Sequence, residues 1–229
     1  MPDVKAGRRM GGVVVLVGAI LLAGSISVPW YADKRSAQGE TFIVYAYPGL
    51  PSEAGTIQYS CSGLPPDEGC PGASSYSGAD LNNTGEVAET VLFLLVGGLA
   101  LGVVAGVVGV ASGQRPGRAA VAPRLAIASL ILAAAAPVLY ALQLPAAFGK
   151  DFPRETTPGP WSSFFGSTSA ASWGPSVGWY LSIVSLVILL VGAILLLRFR
   201  RNPPGPAPVA AVVATEAHDR SAAPSLSTP

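Results

Sequence analysis

Four uncharged apolar runs constrain the fold more than any other feature of this sequence of 229 residues. They cover residues 11–28, 90–111, 125–147 and 177–197, and none contains Asp, Glu, Lys, Arg or His. At about 1.5 Å per helical residue, runs of this length reach roughly 27–35 Å, which matches the hydrocarbon core of a bilayer. The sequence therefore predicts a membrane all-α fold, a bundle of four transmembrane helices.

The overall composition agrees with a membrane protein. Half of the residues are hydrophobic and only 12% are charged, whereas a soluble domain carries about a quarter charged residues. The net charge of +1 gives no reason to expect nucleic acid as a partner. The lipid bilayer is the expected surroundings of the chain.

The first run has an alternative interpretation as a secretory signal peptide, because Lys5, Arg8 and Arg9 precede it. Signal peptides have an apolar region of about 7–15 residues, and this run has 18. Ala23-Gly24-Ser25 offers a weak cleavage site. An uncleaved first helix is favoured, and both interpretations place the following segment outside the cell.

Basic residues predict the orientation. Ten of the 14 Lys and Arg residues flank the spans on the side of both termini, and four lie on the other side: Lys34, Arg35, Lys150 and Arg154. The positive-inside rule then predicts a multi-pass protein of the cell membrane with both termini cytoplasmic. All four tryptophans fall on the outer side, and Trp30, Trp173 and Trp179 lie close to span ends, as expected for interface anchors.

The first outer segment, residues 29–89, is the only connection large enough to fold by itself. Residues 41–47 and 56–61 are rich in strand-forming side chains and are bounded by Gly and Pro, which predicts a β-hairpin or small antiparallel sheet. Two strands alone are marginally stable, so we expect them to rest on the helix ends. The segment carries two basic and eight acidic residues.

The other connections are simpler. Residues 1–10 and 112–124 are expected in the cytoplasm, and the short second stretch makes the second and third helices antiparallel. Residues 148–176 form a second outer segment that either lies along the membrane interface or caps the bundle. The tail 198–229 is rich in Pro and Ala and is predicted to be disordered.

Both cysteines, Cys61 and Cys70, lie nine positions apart in the segment predicted to be outside, where disulfides persist. A disulfide is favoured over free thiols or metal ligands, because two cysteines alone make a poor metal site.

The acidic residues Asp67, Glu68 and Asp80 lack the spacing of a calcium loop, so a solvated surface is favoured over a cation site. Asn82-Asn83-Thr84 is a glycosylation sequon on the outer side.

We find no catalytic constellation, and we expect neither a metal nor a cofactor. The only histidine, His218, stands isolated in the tail, and no ionisable residue lies inside a span. Gly98, Gly102 and Gly106 form small-xxx-small steps that allow another helix to approach closely. An internal helix is favoured over another subunit as their partner. Pro137 is interpreted as a packed kink.

The layout resembles the claudin and peripheral myelin protein type of tetraspan family. The resemblance rests on the four spans, the larger first outer segment, Trp30 directly after the first span, the cysteine pair, and Gly178-Trp179 at the last span. The family's Gly-Leu-Trp motif before the first cysteine is missing, since Gln58-Tyr59-Ser60 stands there. The resemblance implies the fold, and junction or pore functions are not carried over.

The leading hypothesis is a non-enzymatic tetraspan protein that associates with other membrane or envelope proteins through its disulfide-closed outer segment. One alternative is an accessory subunit of a transporter or channel. A second is a lipid-modifying enzyme, for which Glu86, Glu89 and Asp151 are the best acid–base candidates.

Overall fold

The structure, a computed structural model, describes residues 4–37, 39–64, 69–111, 120–155 and 157–199. These ranges contain four long helices: α1 (Val4–Ile26), α2 (Asn82–Ala111), α3 (Val121–Asp151) and α4 (Val177–Arg198). Each is long and apolar enough to cross a membrane. The prediction of four apolar helices suited to a multi-pass membrane protein is confirmed to that extent. Asp67, Glu68, residues 112–119 and the tail from residue 200 lie outside the described ranges.

The helices form a closed four-helix bundle. Helix α1 packs against α2 and α4, and α3 completes the ring by packing against the same two neighbours. Large apolar side chains point away from the bundle on every helix, for example Ile20, Phe93, Ile131 and Val187. An apolar exterior on all four helices is what a lipid environment requires.

Small residues line the inside of the bundle. Gly98, Gly102 and Gly106 are all buried, but they do not share one partner helix. A Cβ at Gly98 would lie 3.1 Å from the Cβ of Ala133 on α3, whereas one at Gly106 would meet Leu16 on α1. Gly102 lies between them, where a Cβ would be 2.9 Å from the Ser129 hydroxyl oxygen and 3.5 Å from the Cβ of Ala19. These three glycines therefore face the bundle centre, and the side chains they contact belong to other helices of the same chain.

Gly12 on α1 is a further position where two helices approach closely, and the sequence analysis did not single it out. A Cβ there would lie 2.7 Å from the Gly106 carbonyl oxygen and 2.7 Å from the Val110 nitrogen. Since both of these atoms belong to the backbone of α2, they cannot rotate away. The two helices touch here through their main chains.

Three of the helices extend beyond the predicted spans. Helix α2 begins at Asn82 and not near residue 90, and α3 continues to Asp151. The two ends meet, because the Asp151 carboxylate accepts hydrogen bonds from the backbone N–H groups of Asn83 (3.0 Å) and Thr84 (2.9 Å). The first turn of α2 is thus capped by a residue of α3.

A five-stranded sheet covers one end of the bundle, which we call the sheet end. Its strands are β1 (Tyr31–Ala37), β2 (Glu40–Ala46), β3 (Ile57–Ser62), β4 (Gly166–Ser167) and β5 (Ala171–Pro175). The order is β3-β2-β1-β5-β4, and all neighbours are antiparallel.

The predicted strands in the first segment are confirmed as β2 and β3. The sheet extends beyond this segment, because β4 and β5 come from the second connecting segment. Strand β1 was missed because its sequence, with Asp33-Lys34-Arg35 at the centre, is too polar for a strand pattern. The second segment does more than cap the bundle, because β5 pairs with β1 along Tyr31–Arg35.

Aromatic rings fix the sheet on the helices. Tyr31 of β1 contacts Phe148 of α3, with ring centroids 5.8 Å apart, and Phe164 of the second segment at 5.7 Å. Trp30 meets Tyr140 of α3 edge to face at 5.4 Å. Such contacts add to the area that the rings bury, and they make the sheet and the bundle one packed unit.

Candidate functional site

One face of the sheet turns toward the bundle and carries Tyr31, Asp33 and Arg35 of β1. Strand side chains alternate between faces, and the register places these three residues opposite Ala46, Val44 and Phe42 of β2. The opposite face carries Lys34 and Ser36. Strand β1 thus supplies Asp33 and Arg35 on the inner side, where Tyr59 of β3, opposite Val44, is a further ionisable group.

A cavity of about 390 Å³ lies between this inner face, the end of α3 and the second connecting segment. We call it the sheet cavity. Its walls are mostly aromatic and aliphatic, and its lining includes Tyr31, Asp33, Arg35, Phe42, Val44, Tyr59, Leu81, Phe148, Phe152 and Trp161. The volume falls within the range of small-molecule sites.

Asp33 is the most unusual side chain in the sheet cavity. Its Oδ2 atom accepts a hydrogen bond from Nε of Arg35 at 3.1 Å, whereas its buried Oδ1 atom has no hydrogen-bond partner among the described residues. Burial raises the pKa of the Asp33 carboxyl, and the nearby Arg35 opposes this shift without cancelling it. The side chain is 13% exposed. One of its two carboxylate oxygens is therefore buried without a hydrogen bond that would replace its lost hydration.

Arg35 lies at the rim of the cavity. Its side chain is 53% exposed, and its guanidinium carbon is 5.6 Å from the ring centroid of Trp161, in cation–π range. A second cavity of about 490 Å³ shares Asp33, Arg35, Pro160 and Trp161 with the first. The Arg35–Trp161 contact therefore stands between the two spaces.

Tyr31 is the second polar group of the cavity without a partner. The residue is 1% exposed, and within the part of the chain that the structure describes its hydroxyl makes no hydrogen bond. The buried Tyr76 differs, because its hydroxyl donates to the Tyr47 carbonyl at 2.7 Å. Burial raises the pKa of Tyr31, so its hydroxyl stays protonated and can both donate and accept.

The predicted disulfide is confirmed. Cys61 of β3 is bonded to Cys70, with Cα atoms 5.7 Å apart. Strand β3 is the edge of the sheet, and the bond ties this edge to the chain that leaves it. In the described part of the chain, the outer side of β3 carries a single bridge, between Ile57 and Ser74. The bridge and the disulfide fall in the same antiparallel register, so they hold residues 70–74 beside β3 at two points.

The tryptophans expected as interface anchors occupy different surroundings. Trp30 is fully buried, and its indole N–H donates to the Ser25 carbonyl at 2.8 Å. Trp173 is 6% exposed. The structure thus corrects the anchor prediction for these two, which are packing residues, because the sheet covers the helix ends they lie on. Trp179 is half-buried and donates to the Pro137 carbonyl at 3.2 Å, which joins α4 to α3.

Asp151, an acid–base candidate if the protein were a lipid-modifying enzyme, caps the first turn of α2. Besides the two backbone N–H groups, its oxygens accept from the Asn83 side-chain nitrogen (2.7 Å) and the Thr84 hydroxyl (2.6 Å). The same contacts bury Thr84 of the sequon. Glu86 is exposed on α2 and Glu89 is half-exposed. Among the described residues, no group of three His, Cys, Asp or Glu side chains is placed to hold a metal ion.

The sequence analysis missed Tyr31, Asp33 and Arg35. The available signal was their alternation with Ala32 and Lys34 directly after the first span, which a period-two search finds once polar strands are admitted.

No protein-family model matches the chain, and no curated protein matches its sequence.

Proposed function

We propose that the chain is a non-enzymatic tetraspan protein of the cell membrane that associates with other membrane or envelope proteins through its outer sheet. Both termini are cytoplasmic in this proposal, and the sheet end is extracytoplasmic. The observation that carries it is the exposed polar outer face of β3, tethered by the disulfide, on a sheet built from both connecting segments.

The outer face of β3 favours association because it presents hydrogen-bonding side chains to the surroundings. Gln58, Ser60 and Ser62 alternate with Tyr59 and are exposed on this face. Their amide and hydroxyl groups can donate to and accept from a partner protein. Strand β3 itself carries no charged residue, so a partner that covers it buries no β3 charge.

The disulfide supports the same proposal. In the chain-entropy model, closing a loop this short contributes roughly 2–3 kcal/mol by restricting the unfolded chain. A surface held in one conformation binds with a smaller loss of conformational entropy than a mobile surface. Disulfides persist in oxidising compartments, which supports an extracytoplasmic sheet end, as does the distribution of Lys and Arg.

A photocrosslinking amino acid placed at Ser60 tests the proposal in native membranes. The matched control is the same amino acid at Ser169, which is exposed in the turn between β4 and β5 at the other end of the sheet. We expect discrete adducts with a membrane or envelope protein from position 60 and not from position 169. The adducts should decrease in the Cys61→Ser/Cys70→Ser double variant.

Equal labelling from both positions, or no adduct from position 60, would contradict association through the outer face of β3. Adducts with a protein whose membrane helices carry ionisable residues would instead favour the accessory-subunit alternative.

A further inference from the structure

A groove of about 760 Å³ lies where β1 and β5 meet the helices α3 and α4. We call it the lateral groove. One of its ends carries Lys34 and Ser172 on the sheet, and the other carries Ala141, Phe165 and Tyr180 toward the helices. It shares no lining residue with the sheet cavity, so it is a separate space.

The sheet end of the lateral groove offers hydrogen-bond donors at its surface. Lys34 and Ser172 are direct partners in the pairing of β1 with β5, so their Cβ atoms are about 5 Å apart on one face. Both side chains are exposed. Within the part of the chain that the structure describes, neither side chain has an ion-pair or hydrogen-bond partner. The ammonium and the hydroxyl are therefore both available to a ligand.

The charge of this face of the sheet favours an anion. In the five described strands, side-chain alternation and register place Lys34 there as the only charged residue. Its neighbours on β2 and β3 are uncharged: Thr41, Ile43, Tyr45, Gln58, Ser60 and Ser62. The described lining of the lateral groove contains no carboxylate either. Asp33 projects from the opposite face and is paired with Arg35.

The other end of the lateral groove is apolar and reaches the helices. The pair next to Lys34 and Ser172 on the same face is Ala32 and Gly174, whose small side chains leave the groove open toward α4. Beyond them, the rings of Phe165 and Tyr180 are exposed. Of the four pairs of neighbouring helices, α3 and α4 pack least closely, and Ala141 of α3 is a small residue beside the groove.

A ligand that fits both ends is amphipathic. Its anionic group lies at the sheet, and its apolar part lies against two helices suited to crossing a membrane. A small soluble anion uses only the first end. A zwitterionic phospholipid carries an additional cation, which finds no carboxylate in the described lining and is repelled by Lys34.

We propose that the lateral groove binds an anionic phospholipid. Its phosphate accepts hydrogen bonds from Lys34 and Ser172, and one acyl chain runs past Ala141 between α3 and α4. This site is distinct from the outer face of β3, because no residue of β3 lines the groove.

Native mass spectrometry of the full-length protein, released from detergent micelles, tests the proposal by counting bound lipids. The probes are phosphatidylglycerol and phosphatidylcholine with identical acyl chains. We expect one phosphatidylglycerol per chain, bound about fivefold more tightly than phosphatidylcholine, which is the effect of one Lys on one headgroup charge. Inorganic phosphate at the same concentration should not displace the lipid.

Lys34→Gln tests the polar end. The variant should bind both lipids with the same affinity, because the only charge of the groove is removed, whereas Lys34→Arg should retain the preference. Lys150→Gln is the matched control, since Lys150 is exposed at the end of α3 and lies outside the groove.

Ala141→Trp tests the apolar end by filling the space beside α3. It should weaken binding of both lipids, because the acyl chain loses its position. Ala146→Trp is the control, since Ala146 is exposed on the same helix and lies outside the groove.

Three results would overturn the proposal: equal affinity of the wild type for the two lipids, a preference for phosphatidylglycerol that persists in Lys34→Gln, and unchanged lipid binding in Ala141→Trp. Displacement of the lipid by inorganic phosphate would overturn the assignment of a lipid as the ligand.

Discussion

Asp33 shows how one residue can be stabilised by its neighbours and still be unfavourable for folding. Arg35 donates to one carboxylate oxygen, but the other is buried without a partner. The pKa of the carboxyl is raised because desolvation outweighs the attraction of Arg35. The folded protein therefore binds a proton at Asp33 more tightly than the unfolded chain does.

The sign of this linkage predicts a pH dependence for Asp33→Asn. A raised folded-state pKa contributes stability that is complete below the unfolded pKa and is lost as the pH rises through the folded value. Asn carries no charge at any pH, so the variant should be more stable than the wild type near pH 7, and the difference should shrink toward about pH 4. Thermal unfolding in detergent across this range measures it.

Asp80→Asn is the control for removal of one acidic charge, because Asp80 is exposed and lies outside the sheet cavity. The other ionisable groups of the cavity are Tyr31, Arg35 and Tyr59. A constant stability difference for Asp33→Asn at all pH values would contradict the assignment.

At the scale of elements, the helices are held by close main-chain approach and by a cap supplied from another helix. Ser129 of α3 donates to the Gly98 carbonyl of α2 at 2.6 Å, and Asp151 closes the other end of the same pair. The two antiparallel helices are therefore connected by polar contacts at two levels. Between these two polar contacts, the helices pack through apolar side chains.

Gly102→Leu should disrupt the bundle centre. The new side chain would meet Ser129, Ala19 and Leu189, which belong to the three other helices. Overpacking of this kind costs about 1–3 kcal/mol, so the melting temperature in detergent should fall. Val103→Leu is the matched control, because Val103 is 41% exposed on the same helix. Equal melting temperatures for both variants would show that the centre can expand without cost.

Asp151→Asn should destabilise the junction of α2 and α3. The substitution turns one acceptor oxygen into an NH₂ donor that faces the donors of Asn83 and Thr84. We expect a loss of about 1–3 kcal/mol, which proteolysis or hydrogen exchange at the start of α2 would localise. Glu155→Gln, four residues later and exposed, should have little effect. Unchanged protection of residues 82–85 in Asp151→Asn would refute the capping role.

At the scale of the whole molecule, the sheet joins the two connecting segments into one body. The pairing of β1 with β5 and the rings of Trp30, Tyr31 and Phe164 attach this body to the helices. At the opposite end of the bundle, the first and last described stretches of the chain also meet. Nε of Arg8 donates to the Phe199 carbonyl there at 2.8 Å. Both ends of the bundle are thereby closed by contacts between distant parts of the sequence.

The proposed orientation predicts the labelling of two single-cysteine additions. Both native cysteines are bonded to each other, so they should not react. A membrane-impermeant maleimide should label Ser169→Cys, at the sheet end, in intact cells. Ala6→Cys, exposed near the start of α1, should be labelled only after permeabilisation. The reverse labelling pattern would show that the sheet end is cytoplasmic and the start of α1 is outside.

The sequence by itself determined the four helices, the strands β2 and β3, and the disulfide. Each depends on local information: long uncharged runs, strand formers bounded by Gly and Pro, and two cysteines separated by nine positions. Tertiary structure alone decided the strand at Tyr31–Ala37, because polar residues become a strand only when β2 and β5 satisfy both of its edges. It also moved Trp30 from the expected interface to the interior and converted Asp151 from a candidate acid into a cap. These roles depend on residues far away in the chain, and a local pattern carries no information about distances between them.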